Sequence, residues 1–425
     1  MGQTMAEKFL SRKNVAGKPV RAGDIIDARV DGIMLHASSG EVDHRAMQGG
    51  FSNGVPRVFD KDKVYVILDH YQPPCDHHYA KKNKAGRDMA LRLGLTHFHD
   101  AGPGIAHQMM CELGYVRPGE LVPGNDSHTV LYGALNVASS GQGEAELVHA
   151  VVFGEFWYQV PPTIKIVMDG QLPPYPFAKD IMLYLAGQYG DDFAQYRSVE
   201  YTGPVAGQMS IAGRMCMSCH TVEIGGKFGL FRADEKTIEF VKARTNLPFE
   251  PVEADPDAEY ERVIEVNVDE IEPQVAKPHR FGNAVPVGEA AGVKINQAII
   301  GACSNGRFED IEIAHRILKG RRVARGVRFL ISPASNEVLK ECIAAGIIPD
   351  LLDAGVYFLD PGCGVCQPNR AYMVDGEVCI TAATRNFRGR YGPPDSSVYL
   401  GGPATVAAAA VAGEITDPRE VLRGR

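Results

Sequence analysis

Ala298-Ile299-Ile300-Gly301-Ala302-Cys303-Ser304-Asn305 begins as a short apolar run, breaks at a glycine and continues in small and polar residues. The apolar part reads as a buried strand. A helix is expected next, over Phe308 to Lys319, and then a strand over Val327 to Ile331. Strand, loop, helix and strand in that order favour a layered α/β architecture. Such folds bind ligands just beyond the carboxyl ends of strands. Cys303 stands at that place.

The same alternation runs outward in both directions. Val64 to Leu68 reads as a buried strand with Asp69-His70 at its carboxyl end, followed by a helix over Lys82 to Leu93. A helical stretch is expected from Ala145 to Tyr158, closed by Pro161-Pro162, and a strand from Thr163 to Met168. Phe177 to Tyr189 and Asp234 to Arg244 read as helices whose acidic first turns suit the helix dipole. Toward the C-terminus come a helix over Glu337 to Ala344, a strand over Val378 to Ala382 and a helix over Ala404 to Ala412. Glu265 to Gly288 is rich in Pro, Val and acidic residues, and reads as a connector with one short strand. With 425 residues, three domains are expected, divided as 1–160, 161–285 and 286–425.

Composition excludes whole classes. Hydrophobic residues are 45% and charged residues 23%, values of an ordinary globular chain. The net charge of −8 argues against general attraction to nucleic acid. No apolar run approaches the roughly 18 residues of a membrane span, and the first residues, Met1 to Lys8, have no apolar stretch of a secretory signal. Nine cysteines in so long a chain do not make a disulfide scaffold. A reduced, cytoplasmic protein is expected.

The sharpest local signal is Asp360-Pro361-Gly362-Cys363-Gly364-Val365-Cys366. A C-x-x-C pair set in Gly and Pro can aim both sulfurs at one centre, with backbone amides close by. With Cys303 it would offer three thiolates, enough to hold three irons of a [4Fe–4S] cluster and leave the fourth open. Spacing alone leaves two rivals. One is a redox dithiol; the other is a zinc site joining this pair to the remote Cys216-Met217-Ser218-Cys219. Cys75, Cys111, Cys342 and Cys379 are expected as buried small hydrophobes.

Asp69-His70, His107 and Asp126-Ser127-His128 fall at expected strand ends or in adjoining loops. A histidine beside a carboxylate is held in one tautomer and can move protons near neutral pH. Arg385, Arg388 and Arg390 form a basic cluster after the strand Val378 to Ala382, and a guanidinium suits a carboxylate. Lys81-Lys82-Asn83-Lys84 and Lys319-Gly320-Arg321-Arg322 read as solvated surface.

With these residues in place, the chain resembles the aconitase family over nearly its whole length, from Thr4 to near Gly413. The most specific stretches are Gly124 to Thr129, Ile300 to Asp310, Gly362 to Cys366 and Arg385 to Arg390. The resemblance implies an aconitase-like α/β fold of three layered domains around a [4Fe–4S] cluster on Cys303, Cys363 and Cys366. It implies Asp69, His70, His107, Asp126, His128 and Glu223 as the catalytic shell. It implies His36, Ser127, Arg385 and Arg390 as substrate-binding residues. The expected activity is a hydro-lyase acting on a small-molecule hydroxy di- or tricarboxylic acid. Isopropylmalate isomerisation in leucine biosynthesis comes first, with homoaconitate, dimethylmalate, citraconate or maleate chemistry as alternatives. A swivelling domain, absent from this chain, is expected on a separate small subunit, with no membrane partner. The rival of another class is an RNA-binding iron sensor, against which the net charge counts. Cys219 and Thr384 stand where the family usually has Asn, and Asp126-Ser127-His128-Thr129 continues with Val130-Leu131 rather than the commoner pairs.

Overall fold

Residues 2–36, 39–100, 102–366 and 368–423 are described by a computed structural model. Among them no helix is long and apolar enough to cross a membrane. The chain packs as two compact units. One holds Met1–Ala101, Ala106–Met168 and Ala194–Val266; the other holds Gly102–Ile105, Asp169–Phe193 and Asn267–Arg425.

In the first unit, the strand Val64–Ile67 is buried at every position, as a continuous apolar run requires when both faces of a sheet are covered. It lies in a five-stranded parallel sheet ordered His97–His99, Val64–Ile67, Ile33–Leu35, Leu121–Gly124, Ala138–Gly141. The core around it gathers Phe9, Leu10, Val64, Val66, Leu121, Leu147 and Val151. A four-stranded sheet, ordered Phe228–Phe231, Ser198–Thr202, Thr163–Asp169, Arg262–Asn267, occupies the following segment.

The second unit is built on a seven-stranded sheet. Its order is Ala284–Pro286, Gln274–Ala276, Ser397–Gly401, Val378–Thr381, Gln297–Ile300, Arg328–Ile331, Val356–Phe358. The last five strands are parallel. The β-α-β unit expected at its centre is present, with the helix at Phe308–Leu318.

Three expectations need correction. The helix over Ala145 to Tyr158 ends at Phe153, because Gly154 takes a left-handed φ of 73° and caps it. The next five residues, Glu155–Gln159, form a strand antiparallel to Ile25–Arg29; their aromatic content and alternating burial suit a half-covered sheet. Second, the connector from Glu265 to Gly288 holds two short strands that pair with each other and join the large sheet. Third, Cys75 is exposed, whereas Cys111, Cys342 and Cys379 are buried.

Ala302 is left-handed, with φ 68°, in the turn that delivers Cys303. For a residue with a Cβ this costs roughly 1–2 kcal/mol. Ala302→Gly removes that strain, but it also removes a buried methyl worth about 0.8 kcal/mol and adds chain entropy of about 0.5–1 kcal/mol. The terms cancel, so urea denaturation of Ala302→Gly should fall within about 0.5 kcal/mol of wild type. Ala302→Val adds a β-branched side chain to the same fully buried turn and should lose about 3 kcal/mol. Equal stability of the two variants would show that the turn is not strained.

Candidate active site

Three of the expected site elements follow directly from the parallel order of the five-stranded sheet. His36 comes after Ile33–Leu35, Asp69-His70 after Val64–Ile67, and Asp126-Ser127-His128 after Leu121–Gly124. These three strands are neighbours, so their carboxyl ends place the side chains side by side. His107 is added by the helix Ala106–Glu112 and Glu223 by the short turn Thr221–Ile224.

Asp126 is the hub. Its Oδ1 accepts from His107 Nε2 at 2.8 Å and from the His128 backbone N–H at 2.7 Å. Its Oδ2 lies 3.5 Å from His70 Nε2 and 3.9 Å from His36 Nε2. Burial pushes the Asp126 carboxyl up, but His107 and His128 outweigh it and hold it well below its ordinary value. Asp69 is held low in the same way: burial opposes, His70 and the Ala106 N–H prevail. Asp69 Oδ1 meets His70 Nδ1 at 2.7 Å, and Asp69 Oδ2 accepts from Ala106 N at 2.8 Å. His70 therefore carries its proton on Nδ1, and Nε2 is the working nitrogen.

The other histidines are fixed as well. Tyr132, fully buried, has its hydroxyl 3.1 Å from His107 Nδ1. With Nε2 donating to Asp126, that hydroxyl donates to Nδ1. Nothing in the sequence around Tyr132 marked it as part of the site. His128 Nε2 meets Glu223 Oε1 at 2.9 Å. Ser127 Oγ is 3.4 Å from His128 Nδ1. His36 Nε2 lies 3.1 Å from the Asn125 carbonyl, and its ring stacks on His70 at 4.3 Å. Burial, then the neighbouring His70, lower His36 to about 4 despite Asp126 and Asp69, so it is neutral at pH 7. Cys219 is fully buried at the end of the helix Ile211–His220, with its Sγ within 4.8 Å of a ring nitrogen of His128.

The second unit carries the cysteines. Cys303 follows Gln297–Ile300, and Cys363 and Cys366 form the turn after Val356–Phe358, both strands belonging to the parallel part of the sheet. All three are buried. A Cβ on Gly301 would stand 2.8 Å from Val365 Cγ2, so the two cysteine turns touch and only glycine fits between them.

The surroundings of these thiols suit iron–sulfur ligation. Arg390 Nη2 donates to Cys366 Sγ at 2.6 Å, and Thr384 Oγ1 lies 3.4 Å from the same sulfur. Burial alone would weaken the Arg390 charge, but Cys366, Tyr391 and Cys363 more than compensate and raise its pKa. Arg390 Nε is buried with no acceptor among the described residues, a donor ready for a bound anion such as sulfide. Cys342 shows the contrast: burial, then Glu341, push its thiol up to about 12, the state of a packing residue. The arginine cluster divides. Arg390 turns inward, Arg385 is partly buried, and Arg388 is exposed beside Asp395 at 3.4 Å.

Two buried cations went unread in the sequence. Arg307 Nη2 and Nη1 donate to the carbonyls of Cys303 at 2.8 Å and Ser304 at 2.9 Å. Lys179, fully buried, donates to the carbonyls of Ala382 at 2.8 Å and of Ala383. Each pins the backbone of a loop that carries a site residue.

Comparison with known proteins supplies the relationship. The family model described as aconitase family (aconitate hydratase) matches residues 79–413. The 3-isopropylmalate dehydratase large subunit 1 of Methanopyrus kandleri is 41% identical over 423 residues, covering 99% of this chain and 100% of that protein. The 3-isopropylmalate dehydratase large subunit of Moorella thermoacetica is 40% identical over 425 residues, covering all of both chains. The solved aconitase X of Thermococcus kodakaraensis covers 86% of this chain at 12% identity with a TM-score of 0.49. The family model over residues 79–413 and the full-length identity of about 40% to these large subunits place the chain in the aconitase family.

Proposed function

We propose that the chain is the large catalytic subunit of a [4Fe–4S] hydro-lyase that interconverts 2- and 3-isopropylmalate. The observation that carries this reading is identity of about 40% along the entire length to proteins named 3-isopropylmalate dehydratase large subunits. Cys303, Cys363 and Cys366 would hold the cluster, with Arg390 offsetting its negative charge. Such a cluster, when bound, supplies Lewis acidity toward a substrate hydroxyl.

The chain's own residues supply proton handling and orientation. His70 Nε2 exchanges a proton, with Asp69 fixing its Nδ1–H and Asp126 facing Nε2. His128 Nε2 and Glu223 Oε1 hold a second proton between them. His107 is locked by Tyr132 and Asp126, and orients the Asp126 carboxylate. His36, neutral, closes one side against His70. Ser127 and Arg385 bind substrate oxygens, Arg385 through a fork that an ammonium cannot copy. The base that takes the carbon-bound proton belongs to the swivelling domain of a separate small subunit, and the cytoplasm is the compartment for such a pathway.

The test is anaerobic reconstitution. The 425-residue chain alone should take up iron and sulfide yet turn over almost no isopropylmalate. Adding the cognate small subunit should restore activity, saturably with partner concentration. Homoaconitate, dimethylmalate, citraconate and maleate belong in the same panel, because Cys219 and Thr384 depart from the family's usual residues. Substantial turnover by the chain free of any partner would overturn the split-enzyme reading.

A further inference from the structure

A cavity of about 420 Å³ opens beside Ser127, and apart from that serine the reading above uses none of its walls. Its walls include Ser127, Ser140, Gln142, Phe156, Trp157 and Lys227. Val222, next to Glu223, lines it too. The cavity thus adjoins Ser127 and the residue before Glu223 in its own unit.

Lys227 is out of place there. It is half-buried immediately before the strand Phe228–Phe231, and among the described residues it forms no ion pair. Its Nζ sits over the rings of Tyr158 and Tyr196, at 5.5 and 5.6 Å. Its hydrogen-bond partner is neutral. With its amide oxygen toward the lysine, Gln142 accepts from Nζ at 3.0 Å and from Ser140 Oγ at 2.9 Å. The carboxylate on the cavity wall, Glu146, forms no ion pair with Lys227 among the described residues; its Oε2 lies over Gly143 at the N-terminus of the helix Glu144–Phe153, where a Cβ on Gly143 would meet it. Burial of this ammonium lowers it to about 8. A cation partly withdrawn from water without a counter-charge is stabilised when an anion joins it.

We propose that this cavity is an anion subsite, in which the Lys227 ammonium binds a carboxylate of a small organic acid whose apolar body lies against Phe156 and Trp157. Two aromatic walls, hydroxyls from Ser127 and Ser140, and one cation make a pocket for a short branched acid. The choice of a hydroxy-diacid as ligand rests on the hydro-lyase reading. The pairing of lysine with carboxylate does not, and it needs no cluster.

Trp157 is the only tryptophan in the chain and is 55% exposed at the cavity wall, so its fluorescence reports occupancy directly. The full chain is titrated with 2-isopropylmalate, malate and 4-methylpentanoate, with sodium chloride as the ionic-strength control. A saturable change with at least one acid, absent with chloride, is expected. Lys227→Met should weaken that acid at least tenfold, and Lys227→Arg should keep most of the affinity. Lys227→Met should melt no lower than wild type, since it removes a half-buried charge that forms no ion pair among the described residues. In wild type alone, affinity should fall as pH rises past about 8, where the ammonium loses its proton. Response to 4-methylpentanoate but not to the hydroxy-diacids would uphold the pairing and count against the hydro-lyase ligand. No saturable response to any acid, equal affinity in Lys227→Met, or a response without pH dependence would overturn the proposal.

Discussion

Cys303→Ser, Cys363→Ser and Cys366→Ser should each abolish the brown chromophore of anaerobically reconstituted protein. Each change removes one of three thiolate anchors for the proposed cluster, and a serine hydroxyl stays protonated where a thiolate would bind iron. Loss of an outer-shell contact alone typically costs about 10–100-fold in metal affinity, so loss of an anchor should exceed that. Arg390→Met tests the outer shell separately. It keeps all three cysteines but removes the guanidinium 2.6 Å from Cys366 Sγ, and should weaken cluster retention by roughly 10–100-fold. Cys75→Ser is the control, because Cys75 is exposed and distant in sequence from the three anchors. Iron and acid-labile sulfide are counted per chain, with circular dichroism to show that each variant is folded. Full iron and sulfide in any of the three anchor variants would sink the assignment.

The parts of this site that could be read in the sequence share one physical cause. Val64–Leu68 and Ala298–Ile300 are continuous apolar runs that give way within a few residues to glycine and polar groups. In a parallel sheet covered on both faces that change of polarity marks the carboxyl end, where ligands bind. Asp69-His70 and Cys303 were legible for that reason. What was not legible depends on contacts remote in sequence. Lys179 lies in the first turn of the helix Ala178–Tyr189, and its partners are carbonyls about 200 positions away. Lys227 looks like any surface lysine until Tyr158 and Tyr196 close around it. The misread helix end at Gly154 has a different origin. Glu155–Gln159 has enough apolar residues to extend a helical pattern, and its pairing with Ile25–Arg29 is a tertiary fact that overrides the local period.

Asp69→Asn should reduce turnover of the reconstituted enzyme by roughly 10²–10⁴-fold while leaving the fold intact. The size follows from a tautomer argument. In the wild type both Asp69 oxygens accept: Oδ1 from His70 Nδ1 and Oδ2 from the Ala106 N–H. An amide offers one acceptor and one donor. Among the described residues the buried Ala106 N–H has Asp69 as its acceptor, so it claims the amide oxygen. The NH₂ group must then face His70 Nδ1, which can only accept from it if it carries no proton. His70 is driven to the Nε2–H tautomer, and the nitrogen that should exchange protons beside Asp126 is blocked. A second readout separates this from simple damage. Asp69 has its folded pKa lowered, so its contribution to stability is fully present above the unfolded value near 4 and is lost as pH falls through the folded value. Asp69→Asn lacks that term, and its melting temperature should fall less steeply than wild type below about pH 4. Turnover within threefold of wild type, measured with saturating small subunit, would show that His70 is not held in a working tautomer by Asp69.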